Sequence, residues 1–203
     1  YMRKVLIRIL LPFSMLFADE LQSPAEFLGY NLGDNFTYHH RVVSYFEHVA
    51  DVASNVKIIP YGKTYEERPL LVAVISSEEN MSMLDNLRKD NLKRAGVITG
   101  KASGKKVGIV WLSYNVHGNE PSTSEAALLT AYTLISSKSD EISNYLSDSI
   151  ILIDPTLNPD GRDRHTHWVN TYKGSPLVDD PQDAEHNEYW PGGRTNHYWF
   201  DLN

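Results

Sequence analysis

Two apolar runs, Lys106–Asn115 and Ile150–Asp154, constrain this chain most strongly. Both read as buried strands, and the first reads as a central strand by its composition. Each runs straight into a loop rich in polar side chains, at 115–121 and at 154–203. Between them, Pro121–Ser136 reads as a helix with proline in its first turn. Upstream, Val42, Tyr45, Phe46, Val49 and Ala53 recur at the helical period, predicting a helix over Tyr38–Ala53 with Thr37 as its cap. Val56–Pro60 and Leu70–Ile75 read as an antiparallel hairpin joined by the turn-like stretch Gly62–Pro69. Residues 80–95 read as one charged, exposed helix. After Gly161 the chain becomes rich in His, Asp, Asn, Trp and Gly and is expected to be irregular up to Asn203. The order predicts an α/β sandwich with a mixed sheet. In such sheets, sites gather where strands end and loops begin.

The 203 residues suit one domain or most of one. A net charge of -7 repels phosphate backbones and argues against a nucleic-acid partner. The absence of cysteine excludes disulfide frameworks, thiolate zinc sites and cysteine nucleophiles. Residues 1–18 read as an export signal: Arg3 and Lys4 lead, Val5–Ala18 is mostly apolar, and Asp19 and Glu20 follow. The apolar run is shorter than the roughly 20 residues of a membrane span. Arg8 and Pro12 interrupt it, Leu16 is larger than a cleavage site prefers, and an amphipathic helix is the other reading. The expectation is an exported protein, periplasmic or extracellular, with no membrane span once the signal is removed. Residues 19–34 form a polar lead-in, and the domain proper runs from 35 to 203.

The first loop reads Asn115-Val-His117-Gly-Asn-Glu120-Pro121. An imidazole and a carboxylate brought together at a strand end are good ligands for a borderline cation such as zinc. Gly118 is expected to let the backbone turn sharply between them. The same residues also suit a plain helix start, with Glu120 where negative charge is favoured.

Four stretches together resemble the zinc metallocarboxypeptidases of the M14, carboxypeptidase A-like family. They are Gly62–Leu70, His117-Gly-Asn-Glu120, Asn158-Pro-Asp-Gly161 and Asp201-Leu-Asn203, with Glu67 departing from the glycine usual in the hairpin. The resemblance covers roughly residues 35–203. It implies the α/β/α sandwich of that family and a single zinc ion with His117 and Glu120 as its first two ligands. It implies that Asp201 orients His117, and that Arg194, nine positions before Asn203, polarises the scissile carbonyl. Asn203 then anchors the carboxylate of a peptide or protein C-terminus. A third ligand, a histidine, and a catalytic glutamate base are expected downstream. The chain is therefore expected to be the N-terminal part of a longer enzyme, inactive when isolated.

Other candidates compete for these roles. His39, His40 and His48 are expected at a helix surface or boundary. His165 and His167 are expected at a substrate rim or in a structural role within an irregular loop. His186 and His197 could line a pocket. Arg162 and Arg164 compete with Arg194, and Glu125 with Glu120. Residues 165–193 form a long acidic insertion of the kind that is often functional. The alternative functions are a zinc deacylase or peptidoglycan amidase on the same scaffold, a catalytically dead binding module, or a fragment with no site.

Overall fold

The computed structural model describes residues 20–120 and 122–203. The proposed export signal lies outside them. Helix α1 (Pro24–Leu28) interrupts the predicted lead-in. It is held by Ser23 and Glu26, whose side chain and backbone exchange a capping box. Helix α2 (His39–Val52) follows. Thr37 does not cap it. Its N–H donates to Glu125 Oε1 at 2.8 Å and its Oγ1 accepts from Tyr30 at 3.0 Å, so a local cap is given up for a long-range contact.

Strands β1 (Val56–Lys63) and β2 (Pro69–Ile75) form the expected hairpin, with a register shift between Pro60 and Gly62. The predicted helix at 80–95 is two helices, α3 (Glu78–Ser82) and α4 (Leu84–Arg94), broken at Met83. Strand β3 (Gly108–Ser113), helix α5 (Thr123–Ser136), helix α6 (Asp140–Asp148) and strand β4 (Ser149–Asp154) come next. Helix α7 (Pro159–Tyr172) occupies part of the stretch expected to be irregular. Asn158 caps it by accepting from Gly161 N–H at 3.0 Å, and Pro159 starts it.

The sheet order is β1-β2-β4-β3, with β3 parallel to β4 and the other pairs antiparallel. This is the mixed sheet of an α/β sandwich. On one face, Ala73, Ile75, Ile151 and Ile153 pack with Phe46 and Val49 of α2 and with Leu128 and Ala131 of α5. On the other, Val74 and Ile150 pack with Leu87 of α4 and with Val107. The alternation along β2 and β4 is what two covered faces require.

One strand assignment is corrected. β3 is an edge strand among the described residues, and β4 holds the centre. Trp111 is 62% exposed, and Ile109 and Val110 are also exposed. Composition records how apolar a strand is and not which neighbour pairs with it. Because Phe46 is fully buried in the main core, Phe46→Ala is expected to lower the unfolding free energy by about 3–5 kcal/mol, read from urea denaturation.

Candidate metal centre

The loops leaving β3 and β4 are laced together by backbone bonds. Tyr114 N–H donates to Asp154 O at 2.9 Å, Leu157 N–H to Tyr114 O at 3.0 Å, and Asn158 N–H to Asn115 O at 3.1 Å. Asn115 adopts a left-handed φ of 54°. Its amide donates to His117 O at 3.0 Å and Thr123 Oγ1 at 2.7 Å, closing the bend onto the start of α5. Gly118 stands at the expected turn, and space is what requires glycine there. A methyl group there would collide with the backbone of Gly161 and Arg162. One at Gly161 would collide with Gly193 O, and one at Gly193 with His165 Cβ. The His117–Glu120 bend, the start of α7 and the turn before Arg194 thus touch backbone to backbone.

His117 is buried between two carboxylates. Nδ1 lies 2.9 Å from Glu120 Oε1, and Nε2 lies 2.9 Å from Asp201 Oδ1. Glu120, and after it Asp201, raise the imidazole pKa against the opposing effect of burial. Arg194 donates from Nε to Asp201 Oδ2 at 2.7 Å. That guanidinium, with smaller help from Asn203 N–H and His117, holds the Asp201 carboxyl below its usual range. Asn203, an exposed residue, reaches Asp201 Oδ1 through its backbone N–H at 3.2 Å.

The donor set fits zinc. In the tautomer that gives Nε2–H to Asp201, Nδ1 would be left as a nitrogen ligand beside the Glu120 carboxylate, on one side of the bend. A carboxylate behind a ligating imidazole is the usual orienting arrangement. Asp201 is turned to the far nitrogen.

Among the described residues, one group of three side chains brings metal-ligand atoms within 4.8 Å of one another: Glu66, Asp160 and His197. A cation already serves it. Arg68 donates to Glu66, to Asp160 Oδ1 at 2.8 Å and to Asp163 Oδ2 at 2.7 Å. Thr64 also donates to Asp160 at 2.7 Å. The hairpin motif Gly62–Leu70 therefore clasps the first turn of α7.

The competing residues have other work. Arg162 is fully buried, ion-paired to Glu125, and bonded through Nε to Thr37 O at 3.2 Å. Arg164 holds Gly192 O at 2.8 Å. His39 is buried, against expectation, with its N–H on Asp163 and its ring on Pro69 O. His48 stacks on Phe27 and His40 on Tyr38. His165 and His167 lie on α7 and not in a loop. His165 faces Glu188. His186 contacts Val178 O, while His197 pairs with Glu66 and stacks on Tyr65. Asn119 and Arg68 stand inside sequence motifs that give them no role of their own, and Glu188 stands outside every motif. The Arg-Pro pair of the hairpin was the available signal for Arg68, and nothing local marked Glu188.

The family model for zinc carboxypeptidases matches residues 42–203. The chain belongs to the zinc carboxypeptidase family. No curated protein sequence matches it. A protein of Shewanella denitrificans OS-217 assigned as a carboxypeptidase A superposes with a TM-score of 0.51 at 14% identity, over 83% of this chain and 31% of its own. A metallo-carboxypeptidase of Burkholderia cenocepacia gives 0.48 at 16% identity, over 81% and 31%. Carboxypeptidase A of Helicoverpa armigera gives 0.47 at 20% identity, over 63% and 25%. The chain thus spans a quarter to a third of the length of these proteins. The first superposition supports the shared α/β fold.

Breaking one half of a buried ion pair strands a charge. Arg162→Met is therefore expected to cost about 3–5 kcal/mol of unfolding free energy. Arg162→Met combined with Glu125→Leu is expected to recover only part of that loss in the same urea titration, because Thr37 N–H and Thr37 O then lose their buried partners.

Proposed function

We propose that this protein is a zinc-dependent carboxypeptidase that cleaves the peptide bond next to a free C-terminal carboxylate. The observation that carries this reading is the His117 ring, with one nitrogen facing Glu120 and the other held by a carboxylate 84 positions along the chain. Zinc, when bound, supplies an acidified water with a pKa near 7.

The residues divide the remaining work. His117 Nδ1 and Glu120 hold the ion. Asp201 keeps the Nε2 proton in place, so that Nδ1 stays available as a ligand. Arg194 is tied by Nε to Asp201, and its two terminal nitrogens make no hydrogen bond among the described residues. They are the electrophile for an oxyanion forming beside the ion. Asn203 anchors the substrate carboxylate. A third ligand and a general base, expected downstream of Asn203 from the family resemblance, complete the machinery. No helix among the described residues is long and apolar enough to cross a membrane. The substrates are peptide C-termini met after export directed by residues 1–18.

The test is zinc content and C-terminal amino-acid release by the full-length protein, with N-acyl amino acids and peptidoglycan amides as comparison substrates. Release from peptides and not from the comparison substrates supports the reading, and the reverse pattern overturns it. His117→Ala is expected to abolish both zinc binding and turnover. Asp201→Asn is expected to weaken zinc binding by about 10- to 100-fold. Arg194→Ala is expected to lower kcat by about 10²- to 10³-fold while leaving the zinc content of the protein intact.

A further inference from the structure

Glu188 lies far from the metal bend in sequence and joins its three parts in space. Its Oε1 accepts the Gly193 N–H at 2.7 Å and faces His165 Nδ1 at 2.9 Å. Its Oε2 accepts from Asn119 Nδ2 at 3.0 Å. Asn119 stands directly before Glu120, Gly193 directly before Arg194, and His165 on α7. The His165 ring packs edge-on against Phe36 and tilted against Trp168, with centroids at 5.2 and 5.4 Å.

This carboxylate is more than a filler. An ionised carboxylate offers about four acceptor sites, enough for three donors from three segments. Burial alone would push the Glu188 carboxyl up, yet its bonds to His165, Gly193 and Asn119 outweigh that and hold it low. Bonds to an ionised acceptor are the strong kind. Glutamine carries no charge and offers one acceptor oxygen, so the charge-assisted bonds from Asn119, Gly193 and His165 would be weakened. Among the described residues, Glu188 makes no hydrogen bond to His117, Glu120 or Arg194. It acts on them through the neighbouring residues it holds.

We infer that Glu188 is a positioning residue for the metal centre, fixing the His117–Glu120 bend against the Arg194 turn through Asn119 and Gly193. The inference rests on the reading of His117 and Glu120 as zinc ligands. It also gives the acidic stretch between α7 and Arg194 a specific task.

The test uses full-length protein, with zinc affinity read by chelator competition and geometry by the visible absorption of bound cobalt(II). Glu188→Gln and Asn119→Ala are each expected to lower zinc affinity by about tenfold, the lower end for residues that support ligands, and to alter the cobalt spectrum. The double variant is expected to lose no more than Glu188→Gln alone, because both changes cut one connection. Folded variants with unchanged zinc affinity and cobalt spectrum would reduce Glu188 to a structural role and overturn the inference. Additive losses would overturn the route through Asn119. His117→Ala separates the two levels. If it keeps zinc, the metal reading fails and the inference with it. If it loses zinc while the Glu188 and Asn119 variants keep it, the inference alone fails.

Discussion

The structure depends on a place where three backbones meet with no side chain between them. Gly118, Gly161 and Gly193 come from the His117–Glu120 bend, the first turn of α7 and the turn before Arg194, and each would collide with another of these segments if it carried a Cβ. Protein interiors tolerate little overpacking. A methyl group at any of the three would push apart the segments carrying His117, Asn158 and Arg194. The closeness lets short side chains finish the site: Asn158 reaches Arg194 O at 3.3 Å, and Asn119 reaches Glu188.

Around that contact, charge is arranged in separate compartments. Arg68 gathers Glu66, Asp160 and Asp163 under the hairpin. Arg162 neutralises Glu125 in the core. Arg194 takes one oxygen of Asp201, leaving the other for His117. Each arginine matches a carboxylate that burial or crowding would otherwise destabilise. Only Arg194 of these three is substantially exposed, and it alone borders the bend with its terminal nitrogens free. The same guanidinium chemistry thus serves buried or crowded structure at two places and stands open to solvent at the third.

Much of the fold was legible because its elements are periodic. The α2 stripe and the β1–β2 hairpin follow their apolar spacing, and the His117–Glu120 bend could be found from two ligand types around a glycine. Helix α7 was not legible. Its sequence, Pro159–Tyr172, is mostly polar, and it is held by the Asn158 cap, the Arg162–Glu125 pair and the Arg68 clasp. Two of those three come from distant segments, so no local pattern announces them. The same reason hid the roles of His39 and Thr37, whose partners lie 124 and 88 positions away.

By itself the sequence determined the residue types at each strand end, the α/β order, and the family through motifs that stand in a set order along the chain. Local spacing suffices for this, because backbone geometry ties a bend or a helix face to neighbouring residues. Only the tertiary structure decided which nitrogen of His117 faces Glu120 and which faces Asp201. It also settled that Arg162 is buried while Arg194 is open, that β4 and not β3 is the inner strand, and that Glu188 bridges the loops. These depend on groups far apart in sequence meeting at hydrogen-bond distance, and the packing of the whole sheet sets that separation.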